Sequence, residues 1–125
     1  MKLLLDTHLV LWWMSGEASR ISKKALAALG SEGIDPTVSA VTIWEAAIKR
    51  RLGKLDSPDD LLPQLERAGV ELLPITARHA DLVASLPLHH RDPFDRLLVA
   101  QAKLEGLPLV SDDAALRRYD IEVVW

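Results

Sequence analysis

The chain has 125 residues, 49% of them hydrophobic and 26% charged, with no cysteine and a formal net charge of −3. These numbers fit one soluble domain and exclude disulfides, thiolate zinc sites and thiol nucleophiles. They argue against an extended basic surface for nucleic acid but leave room for a local basic patch.

No apolar run approaches the roughly 18 to 20 residues that cross a bilayer. The first apolar stretch is too short for a signal peptide and is interrupted by Asp6. A cytoplasmic protein with no membrane partner is the expectation.

In chain order, Lys2–Leu5 reads as a buried strand, and Thr7–Met14 as a short helix apolar nearly all round, buried in the core or at an interface. A second helix covers about Ser22–Leu29, ended by Gly30 and Gly33. Thr37–Ala40 is the next strand, leading into a helix over Val41–Leu52 that Gly53 stops. Ser57-Pro58 has the form of an N-cap followed by proline, and Gly69 closes the helix it opens, with Pro63 expected to break or kink it. Val70–Pro74 is a strand, and Thr76 caps a helix to about Leu86. Asp92-Pro93 opens a helix that Gly106 ends. Leu107–Val110, a short helix at Asp113–Arg118 and a strand at Ile121–Val124 finish the chain. The alternation predicts a single α/β domain over 1–125, with a central five-stranded, mostly parallel sheet flanked by about seven helices.

Several acids fall where such a fold brings ligands. Asp6 ends the first strand and Asp112-Asp113 follow the fourth, so both reach the rim beyond the strands' carboxyl ends. Asp6 also suits a helix N-cap. Val41, Trp44, Ile48 and Leu52 form a helical stripe that includes Glu45, while Thr42, Lys49 and Arg50 lie opposite. A glutamate on a buried stripe must be paired, protonated or metal-bound. Asp95 shares a face with Leu98, Val99 and Ala102; Asp92, before Pro93, suits the cap. Convergence of such carboxylates requires a compensating cation. Hard oxygen donors without cysteine or a histidine pair favour one or two Mg²⁺ or Mn²⁺ ions over zinc.

The segments Leu3-Leu4-Leu5-Asp6-Thr7-His8, Val38-Ser39-Ala40-Val41-Thr42-Ile43-Trp44-Glu45, His90-Arg91-Asp92-Pro93-Phe94-Asp95-Arg96-Leu97-Leu98-Val99-Ala100-Gln101-Ala102 and Leu109-Val110-Ser111-Asp112-Asp113 together resemble the PIN-domain ribonucleases. The resemblance is to the VapC-type toxins of toxin–antitoxin pairs, and it covers essentially the whole chain. It implies a metal-dependent endoribonuclease that hydrolyses RNA with metal-activated water. It also implies a homodimer, inhibited by a cognate VapB-type antitoxin. The family's catalytic and metal-binding acids map to Asp6, Glu45, Asp95 and Asp113, with Asp112 open as a substitute for the last. Thr7 and Ser111 match supporting hydroxyl positions.

Lys49-Arg50-Arg51 and Lys54 form the densest basic cluster and, with Arg91 and Arg96, are candidate RNA-phosphate contacts. The bland reading of the cluster is a solvated helix face. His89-His90 precede Asp92 and suit structural or substrate-contact roles. An aspartyl phosphatase of the haloacid-dehalogenase kind needs a second Asp two residues after the first, where this chain has His8. The remaining alternative is a catalytically inactive PIN-like binding or regulatory module.

Overall fold

The computed structural model describes residues 1–125. Five strands and six α-helices alternate: β1 (Lys2–Leu5), α1 (Thr7–Met14), α2 (Lys23–Leu29), β2 (Asp35–Ser39), α3 (Ala40–Arg51), α4 (Leu61–Arg67), β3 (Glu71–Leu73), α5 (Ala77–Leu82), α6 (Pro93–Glu105), β4 (Leu109–Val110) and β5 (Val123–Val124). The seventh expected helix, after Asp113, is instead a 3₁₀ helix over Ala114–Arg118. At five residues it is too short for an α-helix to repay its nucleation.

The sheet order is β3-β2-β1-β4-β5 and every pairing is parallel. The expectation was a mostly parallel sheet. Because a helix lies between each pair of consecutive strands, each strand returns to the starting edge before the next begins. β1 is therefore central and buried on both faces. Leu3 and Leu5 face one core with Leu9, Val10, Ala25, Leu61 and Leu65. Leu4 faces the other, with Leu97, Leu98, Leu109 and Leu116. This two-sided burial explains an unbroken leucine run where a half-exposed strand would alternate. Full burial of a leucine side chain contributes about 1.5–3 kcal/mol.

Helix starts follow local chemistry. Ser22, Ser39, Thr76 and Asp92 each place a side-chain oxygen on a first-turn amide. Gly106, at φ +65°, ends α6 in a conformation that favours glycine. The helix expected from Ser57 begins only at Leu61, after Asp60. Pro63 thus falls in its first turn, where no amide hydrogen is needed, and neither breaks nor kinks it. The helix expected to reach Leu86 is α5 followed by a separate 3₁₀ turn at Val83–Ser85.

Candidate active site

Three strands end at one edge in register. Leu5 pairs with Val38 on one side and Val110 on the other, so Asp6, Ser39 and Ser111 follow together at the rim. Asp6 serves both readings of its position. Its Oδ1 accepts from the His8 amide at 2.8 Å, capping α1, and its Oδ2 accepts from the Ser111 hydroxyl at 2.5 Å. The Ser111 oxygen in turn accepts from the Asp113 amide at 3.1 Å. Burial raises the Asp6 pKa above its ordinary value, although Ser111 and the His8 amide oppose the shift.

α3 brings in the second acid. Glu45 is only 2% exposed. Thr7 donates its hydroxyl to Glu45 Oε1 at 2.6 Å and lies 3.0 Å from the Thr42 hydroxyl, which is left to donate to it. On the outer side Lys49 donates to Glu45 Oε2 at 2.5 Å and approaches Asp92 Oδ2 at 3.7 Å. Burial pulls the Lys49 pKa down, but Glu45, then Asp92 and Asp95, outweigh it and leave the pKa above that of an ordinary lysine.

The α6 N-terminus supplies the third. Asp92 caps the helix, accepting from the amides of Phe94 at 2.8 Å and Asp95 at 3.3 Å. Asp95, in the first turn, faces the cluster. Burial pushes its pKa up to about 7, and the charges of Asp6, Asp92 and Glu45 add to the rise, while His90 lowers it. That mutual repulsion is the electrostatic sign that these acids share one site. Asp113 completes the group, with its Oδ2 2.7 Å from His90 Nε2, which is also 3.3 Å from Asp95. Ligand atoms of His90, Asp95 and Asp113 lie within 4.8 Å of one another.

The fold gathers Asp6, Glu45, Asp95 and Asp113 with Thr7 and Ser111. Asp112 is exposed and makes no side-chain hydrogen bond. Asp113, not Asp112, is the acid beside His90. A donor set of carboxylate oxygens suits a hard divalent ion. Of the basic residues, Arg50, Arg51, Lys54 and Arg91 are exposed. Lys49 is bound within the acid cluster rather than held out to solvent. Arg96 corrects an expectation. Its guanidinium donates to the carbonyls of Pro87 and Val83 at 2.9 Å, to that of Leu86 at 3.3 Å and to the Tyr119 hydroxyl at 3.2 Å. Those bonds commit it to the loop before α6 and not to a phosphate.

The stripe that singled out Glu45 is also corrected. Trp44 is 49% exposed, Ile48 and Leu52 are exposed, and Trp44 packs edge-on against Phe94. The buried face carries Val41, Thr42, Glu45 and Ala46. Thr42, assigned to the outer side, is therefore a site residue missed by hydropathy, which scores threonine as polar. Its position three residues after Ser39, which ends β2 and caps α3, was the available signal.

A PIN-domain family model matches residues 3–122. The chain belongs to the PIN-domain family. Ribonuclease VapC22 of Mycobacterium tuberculosis is 31% identical over 119 residues, covering 93% of this PIN domain and 90% of its own length. Solved structures share the fold. VapBC2 from Rickettsia felis, bound to a DNA fragment from its promoter, matches at a TM-score of 0.66 and 14% identity, covering 98% of this chain and 97% of its own. FitAcB from Neisseria gonorrhoeae matches at 0.59 and 21%, covering 98% and 96%. This PIN domain is of the VapC type.

Proposed function

We propose that this PIN domain is a metal-dependent endoribonuclease, the toxin of a toxin–antitoxin pair. The observation that carries the proposal is the convergence of Asp6, Glu45, Asp95 and Asp113, with the Asp95 pKa raised to about 7. The ribonuclease name of the 31% identical relative supports the activity, and the VapBC structures support a VapB-type antitoxin as partner.

The four acids would hold one or two Mg²⁺ or Mn²⁺ ions. When bound, such an ion acidifies water and neutralises charge on a phosphodiester under attack. Thr7 fixes one oxygen of Glu45, and Ser111 and the His8 amide fix both oxygens of Asp6, so neither carboxylate must reorganise as charge develops. Lys49 holds the second Glu45 oxygen and bridges to Asp92, keeping the α3 and α6 sides of the site together. Exposed Arg50, Arg51, Lys54 and Arg91 are the residues to contact RNA phosphates. Homodimerisation and a cytoplasmic setting belong to the same proposal.

The test is cleavage of a cellular RNA pool by antitoxin-free protein in Mn²⁺ or EDTA, alongside Asp6→Asn and Glu45→Gln. Discrete Mn²⁺-dependent products are expected, falling on the order of 100-fold or more in each variant, the scale of losing one transition-state electrostatic contact. Undiminished cleavage by folded Glu45→Gln overturns the site. Inert wild-type protein that still binds antitoxin would assign it to the binding-only alternative.

A further inference from the structure

His90 has a role that the four acids do not account for. Its Nδ1 accepts a hydrogen bond from the Asp92 amide at 3.0 Å. A neutral imidazole carries one N–H, so that bond places the proton on Nε2. Nε2–H then donates to Asp113 at 2.7 Å, and Asp95 lies 3.3 Å from the same nitrogen.

The ring is anchored from behind. The His90 amide donates to the Tyr119 hydroxyl at 3.0 Å, which also accepts from Arg96. Arg96 in turn fastens the carbonyls of Val83, Leu86 and Pro87 along the loop leading to His90. A metal bond through Nε2 would need its lone pair, moving the proton to Nδ1 and setting it against the Asp92 N–H. Asp92 cannot turn away without giving up the start of α6, which its own side chain caps.

We infer that His90 is a positioning residue and not a metal ligand. Its Nε2–H, donated to Asp113 with Asp95 alongside, holds the two mutually repelling carboxylates in place while leaving them lone pairs for an ion. This inference rests on the proposed metal-dependent site. A donor beyond the ligands that fixes their orientation contributes about 10- to 100-fold in metal affinity.

The test measures Mn²⁺ binding by calorimetry in the antitoxin-free protein and in His90→Ala, His90→Asn and His90→Gln. Glutamine can present an N–H near the Nε2 position, whereas asparagine reaches only toward Nδ1. Affinity should drop about 10- to 100-fold in the Ala and Asn variants and recover most of that loss in Gln. Long-range ¹H–¹⁵N NMR of histidine-labelled wild-type protein should show the Nε2–H tautomer both without and with Mg²⁺, a readout that needs no variant to fold. A switch to Nδ1–H on adding Mg²⁺, failure of folded Gln to recover binding, or unchanged affinity in Ala would overturn the inference. Asp6→Asn and Glu45→Gln separate the two proposals. If both lose Mn²⁺ and His90→Ala keeps it, only the role of His90 fails; if both keep it, the metal site itself fails.

Discussion

The fold opposes the ionisation of Asp95. Its pKa is about 7 in the folded protein against an ordinary 3.8. Between those values the unfolded chain has released the proton that the folded chain keeps, so rising pH favours unfolding. In the metal-free protein this should remove up to about 4 kcal/mol of stability between pH 4 and 7, with little further loss above. Burial of Asp6 acts in the same direction. Asp95→Asn cannot ionise, so its stability in EDTA should fall less over that range and exceed that of wild type at pH 8. Urea unfolding at pH 5 and pH 8 checks this; parallel pH dependence in the two proteins would refute it. The positions of Asp6, Asp95 and Asp113 could be read from sequence because each stands beside a strand end or helix start, whereas Glu45, inside α3, was marked by the family resemblance. The hydroxyl of Thr42 and the ring of His90 could not, because their roles exist only through partners 35 and 23 residues away.

At the scale of elements, α6 carries structure on one side and the site on the other. Gln101, fully buried, receives a short hydrogen bond from Ser39 and donates to the Pro74 carbonyl at 3.2 Å. It thereby ties α6 to the end of β2 and the loop before α5. Gln101→Leu fills a similar volume but leaves the Pro74 carbonyl and Ser39 hydroxyl without their partner, a loss of about 1–3 kcal/mol. Chemical denaturation should register that loss, while the folded variant keeps its Mn²⁺ affinity; a neutral outcome would mean water replaces the amide. α3 shows why periodicity alone misled. Trp44, Ile48 and Leu52 are the more hydrophobic stripe, yet the face with Thr42, Glu45 and Ala46 is the one turned inward. Glu45 proved buried on a helix whose apolar stripe is largely exposed. The Thr7 hydroxyl and the Lys49 ammonium satisfy its carboxylate, and no hydrophobicity scale registers such compensation.

For the molecule as a whole, parallel order brings chain segments separated by more than 100 residues onto one rim. Asp6 and Ser111 are joined by a direct hydrogen bond. At the proposed metal site, repulsion among the gathered acids would give an ion a large differential affinity for the folded state. Mn²⁺ at 100 times its dissociation constant should therefore stabilise the protein by about 2.7 kcal/mol. A rise in the melting temperature, lost on adding EDTA and much reduced in Asp6→Asn, is the expected result of a thermal-shift titration. An equal rise in both proteins would locate binding elsewhere.

By itself the sequence determined the α/β class, the strands near their observed bounds, the helix caps and the acids that could matter. These are local properties: leucine runs, serine and aspartate caps, glycine stops and proline starts act within a few residues. Tertiary structure decided which face of α3 is inside and whether Pro63 disturbs its helix. It also turned Lys49 into the acid cluster, withdrew Arg96 to brace a loop, and gave His90 two carboxylates to hold. Each of these outcomes depends on the balance between desolvation and partners supplied by distant segments. That balance is set only when β1, β2 and β4 bring their ends together.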